Sequence, residues 1–165
     1  MKQILSLPGL LLLFLSCTQT DNHSENLQAQ IDSLKHQNDQ TYRPGFGEFM
    51  SGIQVHHEKL WFAGQNANWK LADFEINEIK EALQGLQAYC KDRPERQSIP
   101  MIFAPLDSVN KAVQNKNPEA FRMSFTTLTN TCNTCHQATS HAFNVIRIPE
   151  TPPFSNQVFK PNENK

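Results

Sequence analysis

Between Phe46 and Cys135 the apolar residues recur at intervals of three and four, and no stretch alternates as a half-buried β-strand would. Such a chain buries its apolar side chains by packing helices side by side. Phe46, Met50, Ile53, His57 and Leu60 form the first stripe, and Gly64 followed by Asn66 and Asn68 reads as a stop and a new N-cap, so a helix over about 45–63 is expected. Ala72, Ile76, Ile79, Leu83, Leu86 and Cys90 repeat the spacing behind Trp69, and the polar run KDRPERQS closes that helix near Cys90. Ile102, Leu106, Val109 and Val113 mark a third helix, with Pro105 either in its first turn or bending it. Asn117-Pro118, an N-cap followed by a first-turn proline, opens a fourth, whose stripe is Phe121, Phe125, Leu128, Cys132 and Cys135. Four helices of similar length on short connections predict an all-α fold, an antiparallel up-down-up-down four-helix bundle over 44–142.

The ends of the chain read differently. Met1-Lys2 precedes an apolar run from Ile4 to Leu15 that stops at Ser16-Cys17, and this run is shorter than the roughly 20 apolar residues that span a bilayer. Segment 1–17 resembles a bacterial lipoprotein signal, which implies cleavage before Cys17 and a lipid anchor on that cysteine. Phe14 stands where such signals usually carry leucine, and ordinary secretory cleavage nearby is the alternative. Export to the periplasmic or outer-surface side of a bacterial membrane is the expected location. Residues 18–43 form a polar linker with a short amphipathic helix whose seam is Leu27, Ile31 and Leu34. Two heptads suit a spacer, with a homodimer through this seam as the alternative. Beyond Phe143 the proline-rich tail, 143–165, is expected to lie extended on the bundle. With 15 basic and 16 acidic residues, a net charge of -1 and no long run of either sign, nothing suggests a nucleic-acid partner.

The fourth helix carries Cys132-Asn133-Thr134-Cys135-His136, the C-x-x-C-H pattern of c-type haem attachment. On a helix the two sulfurs share one side, where they can form thioethers to the two vinyl groups of one haem, while His136 offers its imidazole to the iron. A zinc site would need four ligands, and the remaining cysteines, Cys17 and Cys90, are single. A thioredoxin-type dithiol would sit at a helix start beside a parallel sheet. A disulfide across a mid-helix i, i+3 pair is geometrically awkward. One covalently bound haem c, held by Cys132, Cys135 and His136, is therefore the expected cofactor.

On these residues the chain resembles the class II c-type cytochromes, relatives of cytochrome c-prime, which are four-helix bundles with the haem motif near the end of the last helix. It is also similar to an exported mono-haem cytochrome family that combines MSGIQVHHEKLWFAGQNANWKLADFEINEI with CNTCHQATSHAF and a proline-rich tail. The resemblance covers about residues 44–142. Members of the first family leave the sixth iron position vacant in the c-prime proteins and fill it with a first-helix methionine in others.

In an up-down-up-down bundle the start of the first helix faces the end of the fourth, which makes Met50 the expected distal ligand. His57 is the rival, about 10.5 Å further along the axis. His56 lies about 100° round the helix, Gln54 could form a polar wall, and an open site is the third alternative. Trp61 and Trp69 read as core aromatics, Cys90 as a small buried hydrophobe, His141 as a surface or tail contact, and Arg147 as a solvated arginine or a partner for a haem propionate. The expected function is an exported, membrane-tethered electron carrier that meets redox protein partners and is no enzyme. A five-coordinate haem protein that binds NO or CO is the alternative, and a haem-free bundle a third.

Overall fold

A computed structural model describes residues 19–162. Among these residues the regular elements are α1 (Gln19–Asp39), α2 (Phe46–Gln65), α3 (Trp69–Tyr89), a 3-10 segment (Pro94–Ile102), α4 (Phe103–Gln114) and α5 (Pro118–Ala138), with no strand. The fold is all-α. Segment 1–17, with Cys17, lies outside the described residues. Among the described residues no helix is long and apolar enough to cross a membrane.

The chain divides into two compact units between Tyr42 and Arg43. In the first, α1 spans 21 residues, and its seam residues Leu27, Ile31 and Leu34 are all exposed. One-turn side-chain pairs run along it: Gln28 donates to Asp32 at 3.0 Å, Gln30 to Asn26 at 2.8 Å, and Lys35 stands 3.9 Å from Asp32. Pairs at this spacing each stabilise a helix by a few tenths of a kcal/mol (~0.2–0.5).

In the second unit, local chemistry sets the helix ends. Asn117 caps α5 by accepting from the backbone N–H groups of Glu119 and Ala120, and Pro118 occupies the first turn, where no intrahelical donor is needed. Asn68 caps α3 by accepting from Leu71 N–H. Pro105 lies in the first turn of α4 without breaking it. The polar run expected only to end the second helix leads into a nine-residue 3-10 segment, Pro94–Ile102, which buries Ile99 and takes in Ile102, the residue expected to begin the third helix's stripe; α4 itself starts at Phe103. Three helices stop with the same pair of hydrogen bonds, the inner one from Ala67 N–H to Gly64 O, Lys116 N–H to Val113 O and Ser140 N–H to Gln137 O, the outer one spanning it. Asn68 N–H reaches Ala63 O, Asn117 N–H reaches Ala112 O and His141 N–H reaches His136 O, each around a residue with positive φ: Ala67 (55°), Lys116 (51°) and Ser140 (63°).

Gly64 does not terminate α2; the helix runs on to Gln65, with Asn66 as its C-cap. A Cβ on Gly64 would collide with the ring of Phe121, so this glycine is a point of close approach between α2 and α5. From there the two helices meet in successive rungs. Trp61 packs on Phe125 with ring centroids 4.9 Å apart, and His57 Nε2 lies 2.9 Å from Thr129 Oγ1. Trp69 lies edge-on to Phe121, which completes an aromatic cluster at this end of the unit.

Helix α2 packs on α3 and α5, α3 also on α4, and α4 also on α5; the 3-10 segment contacts α3, α4 and α5. The core is formed by Leu60 and Ala63 of α2, Ile76, Ile79, Leu83 and Leu86 of α3, Leu106, Val109 and Val113 of α4, and Phe121, Phe125 and Leu128 of α5, with Cys90 buried among them. Phe46, Met50, Ile53 and Cys132, on the same stripes, are only half-buried. They border a cavity of about 390 Å³.

Two substitutions separate these backbone effects. Gly64→Ala forces the Phe121 ring out of place and should lower stability by about 1–3 kcal/mol. Lys116→Gly relieves a left-handed residue against the added chain entropy of glycine and should raise stability by up to about 1 kcal/mol. Denaturant unfolding of both variants checks the opposite signs.

Candidate functional site

The cavity gathers residues from four places in the sequence: Met50, Ile53, Gln54 and His57 from α2, Arg93 and Glu95 at the start of the 3-10 segment, Cys132, Cys135 and His136 from α5, and His141, Asn144 and Ile146 from the segment after it. All three residues of the C-x-x-C-H motif with side-chain chemistry thus line one space, together with Met50 and His57. A volume of about 390 Å³ lies in the range of small-molecule sites.

Cys132 and Cys135 are free thiols. Burial, with a smaller effect of Cys135, pushes the Cys132 thiol up to about 11, and burial likewise raises Cys135. A redox dithiol needs the reverse, a thiol lowered towards neutral pH. Among the described residues no group of three or more His, Cys, Asp or Glu side chains is placed to hold a metal ion by itself, so a four-ligand zinc set is not assembled.

His136 is oriented by the backbone that follows it. The left-handed turn at Ser140 ends α5 two residues after His136 and reverses the chain, with His141 N–H donating to His136 O at 2.7 Å. Asn144 N–H then donates to His141 O at 2.9 Å, and Asn144 O lies 2.6 Å from His136 Nδ1. A carbonyl oxygen can only accept, so Nδ1 carries the proton in this bond and the neutral ring keeps its lone pair on Nε2.

His57 has the opposite assignment. Thr129 Oγ1 already donates to Phe125 O at 2.9 Å, so it accepts from His57 Nε2, and the proton of the neutral ring sits on Nε2. The ring also stacks at 4.4 Å on Phe125, and burial lowers its pKa to about 4. His57 therefore lines the cavity as a neutral tether between α2 and α5. His56 lies away from the cavity: its Nδ1 meets Glu75 Oε2 at 2.7 Å, and its Nε2 is 3.8 Å from Glu78. Glu75 is fully buried, and its Oε1 has no hydrogen-bond partner among the described residues.

Arg93 and Glu95 had no place in the sequence reading. Arg93 donates from Nε (3.2 Å) and Nη2 (2.7 Å) to the two oxygens of Glu95, and its guanidinium also lies over the Phe46 ring at 5.3 Å. The Arg93 hydrogen bonds hold the Glu95 carboxyl down at about 2. Pro94 is the one local signal for this pair: it keeps Arg93 extended (φ −91°, ψ 122°), the conformation a residue before proline prefers. Arg147, by contrast, is exposed and paired with Glu150 rather than lining the cavity. His141 does line it, with its own Nδ1 2.6 Å from Thr139 O.

Because His57 is neutral when folded and titrates near 6.5 when unfolded, protons favour the unfolded chain below pH ~6.5. The contribution should cost up to about 3 kcal/mol as pH falls from 6.5 to 4 and then level off. Denaturant unfolding across this range should show that the stability difference between the wild type and His57→Gln is pH-dependent over the same interval. No family model matches this sequence, and neither a curated protein nor a solved structure matches it, so the cavity's role is read from its own residues.

Proposed function

We propose that the chain is a mono-haem c-type cytochrome that carries electrons and is no enzyme, its domain an antiparallel up-down-up-down four-helix bundle. The bundle topology is supported by the contact ring α2–α3–α4–α5–α2 and by the rungs in which falling α2 numbers, Gly64, Trp61 and His57, meet rising α5 numbers, Phe121, Phe125 and Thr129. The observation that carries the cofactor reading is the His136 bond to Asn144 O, which leaves Nε2 as the ligating atom in the cavity that Cys132 and Cys135 also line. Donating the second ring nitrogen to a carbonyl is how metal-bound histidines are commonly fixed.

The residues present fit one haem c. Cys132 and Cys135 would hold it by thioethers, His136 would ligate the iron, and Met50, half-buried across the same cavity, would take the distal position. His57 is the weaker distal candidate, because its Nε2 is committed to Thr129. The Nη1 of Arg93, a residue that lines the cavity, makes no hydrogen bond among the described residues and could pair with a haem propionate. Bound there, the haem supplies a one-electron redox centre, and methionine ligation would raise its potential. Export, a lipid anchor on Cys17 and redox protein partners complete the reading, supported by the sequence of segment 1–17.

An absorption spectrum of protein produced with haem-attachment machinery tests this. Expected are haem that survives denaturing electrophoresis, a low-spin spectrum with a methionine–iron charge-transfer band, and loss of that band in Met50→Ala. A high-spin spectrum with rapid CO binding by the ferrous protein would instead assign the five-coordinate gas-binding alternative. Absence of covalent haem would overturn both.

A further inference from the structure

Asn133 is the first residue between the two cysteines, a position to which the attachment pattern assigns no chemistry. Its side chain is nevertheless engaged through both its amide nitrogen and its oxygen. Asn133 Nδ2 donates to Ile146 O at 2.8 Å, and Ile146 N–H donates to Asn133 Oδ1 at 2.8 Å. This reciprocal pair fixes the amide, since a flipped side chain would set donor against donor and acceptor against acceptor. Two residues before Ile146 is Asn144, whose carbonyl accepts from His136 Nδ1. The strap between is thus anchored at its start by the Ser140 turn and at its end by Asn133.

We infer that Asn133 is a positioning residue: by clamping Ile146 it holds the Asn144 carbonyl on His136 Nδ1, and so sets the tautomer and donor strength of the imidazole. Without the clamp the strap loses its hold at Ile146, and the next attachment is Ile148, which packs against the core, so the Asn144 carbonyl is free to leave the ring. The part of this inference that concerns iron rests on the proposed haem, whereas the part that concerns the tautomer does not. The sign follows from the chemistry. A hydrogen bond from Nδ1 makes the ring a stronger donor through Nε2, which favours oxidised iron, so its loss raises the reduction potential.

The test uses the full chain in two states. In the haem-free chain at pH 8, with 15N-labelled histidine, long-range 1H–15N spectra should show His136 protonated on Nδ1 and His57 on Nε2. Asn133→Ala should move both His136 shifts towards tautomer-averaged values and leave those of His57 in place as the internal control. Asn133→Asp, which keeps the acceptor but loses the donor, should move His136 in the same direction; it also serves if the alanine variant does not fold. Phe159→Ala, which loosens the tail at the buried Phe159, should leave His136 unchanged. His136 remaining on Nδ1 in the Asn133 variants, or moving equally in Phe159→Ala, would overturn the inference. In haem-loaded protein the midpoint potential should rise in Asn133→Ala, and an unchanged potential would overturn the tuning role. Failure to attach haem would count against the proposed function and leave the tautomer result to decide the role of Asn133.

Discussion

The approach of Phe121 to Gly64 sets the register on which the rest of the second unit depends. With no side chain on Gly64, α2 and α5 come close at one end, and the aromatic rings of Trp61, Trp69, Phe121 and Phe125 fill the layers around that contact. Side chains at three- and four-residue intervals then meet in sequence along both helices. Where the next layer would lie, α2 presents Ile53 and Met50, α5 presents Cys132 and His136, and the space between them is cavity rather than packed core. The site is thus a continuation of the core pattern with its last layer left out.

His57 stands at the boundary between the packed and the open part. It is an imidazole on an apolar stripe, 4 % exposed, and its Nε2 bond reaches across to Thr129. Burying a polar group is costly unless it is paired, and the Thr129 hydroxyl is itself held by Phe125 O, so the tether is directional on both sides. An apolar residue would pack there equally well but would not fix the rotation of α2 against α5. Glu75 is a harder case: a fully buried carboxyl with one oxygen on His56 and the other without a partner among the described residues, for which the surrounding packing offers no physical account.

Much of this was legible in the sequence, for reasons that differ from residue to residue. The Asn117-Pro118 start of α5 and the Asn68 cap of α3 were readable because a cap is satisfied within three residues. The clustering of Met50 with the C-x-x-C-H residues followed from helix periodicity and chain order. Gly64 was misread as a stop because a glycine near a helix end is the usual left-handed residue, yet here Ala67 takes that conformation three residues later. The Arg93–Glu95 pair was hidden because a 3-10 segment has no sustained periodicity to point its side chains anywhere. The acceptor of His136 was hidden for a simpler reason: it is a main-chain carbonyl, which every residue possesses.

The tail carries a consequence of another kind. After lining the cavity with His141, Asn144 and Ile146, it continues along α2, placing Phe154 near Lys59, Phe159 on Phe62, and the carbonyls of Phe159 and Lys160 on Asn68. One wall of the cavity is therefore built from chain made after all five helices. A chain whose helices have formed before the strap docks leaves the two thiols open along a face that the finished fold covers. The order in which helices and strap form thus bears on when the two thiols can be reached, alongside the final geometry.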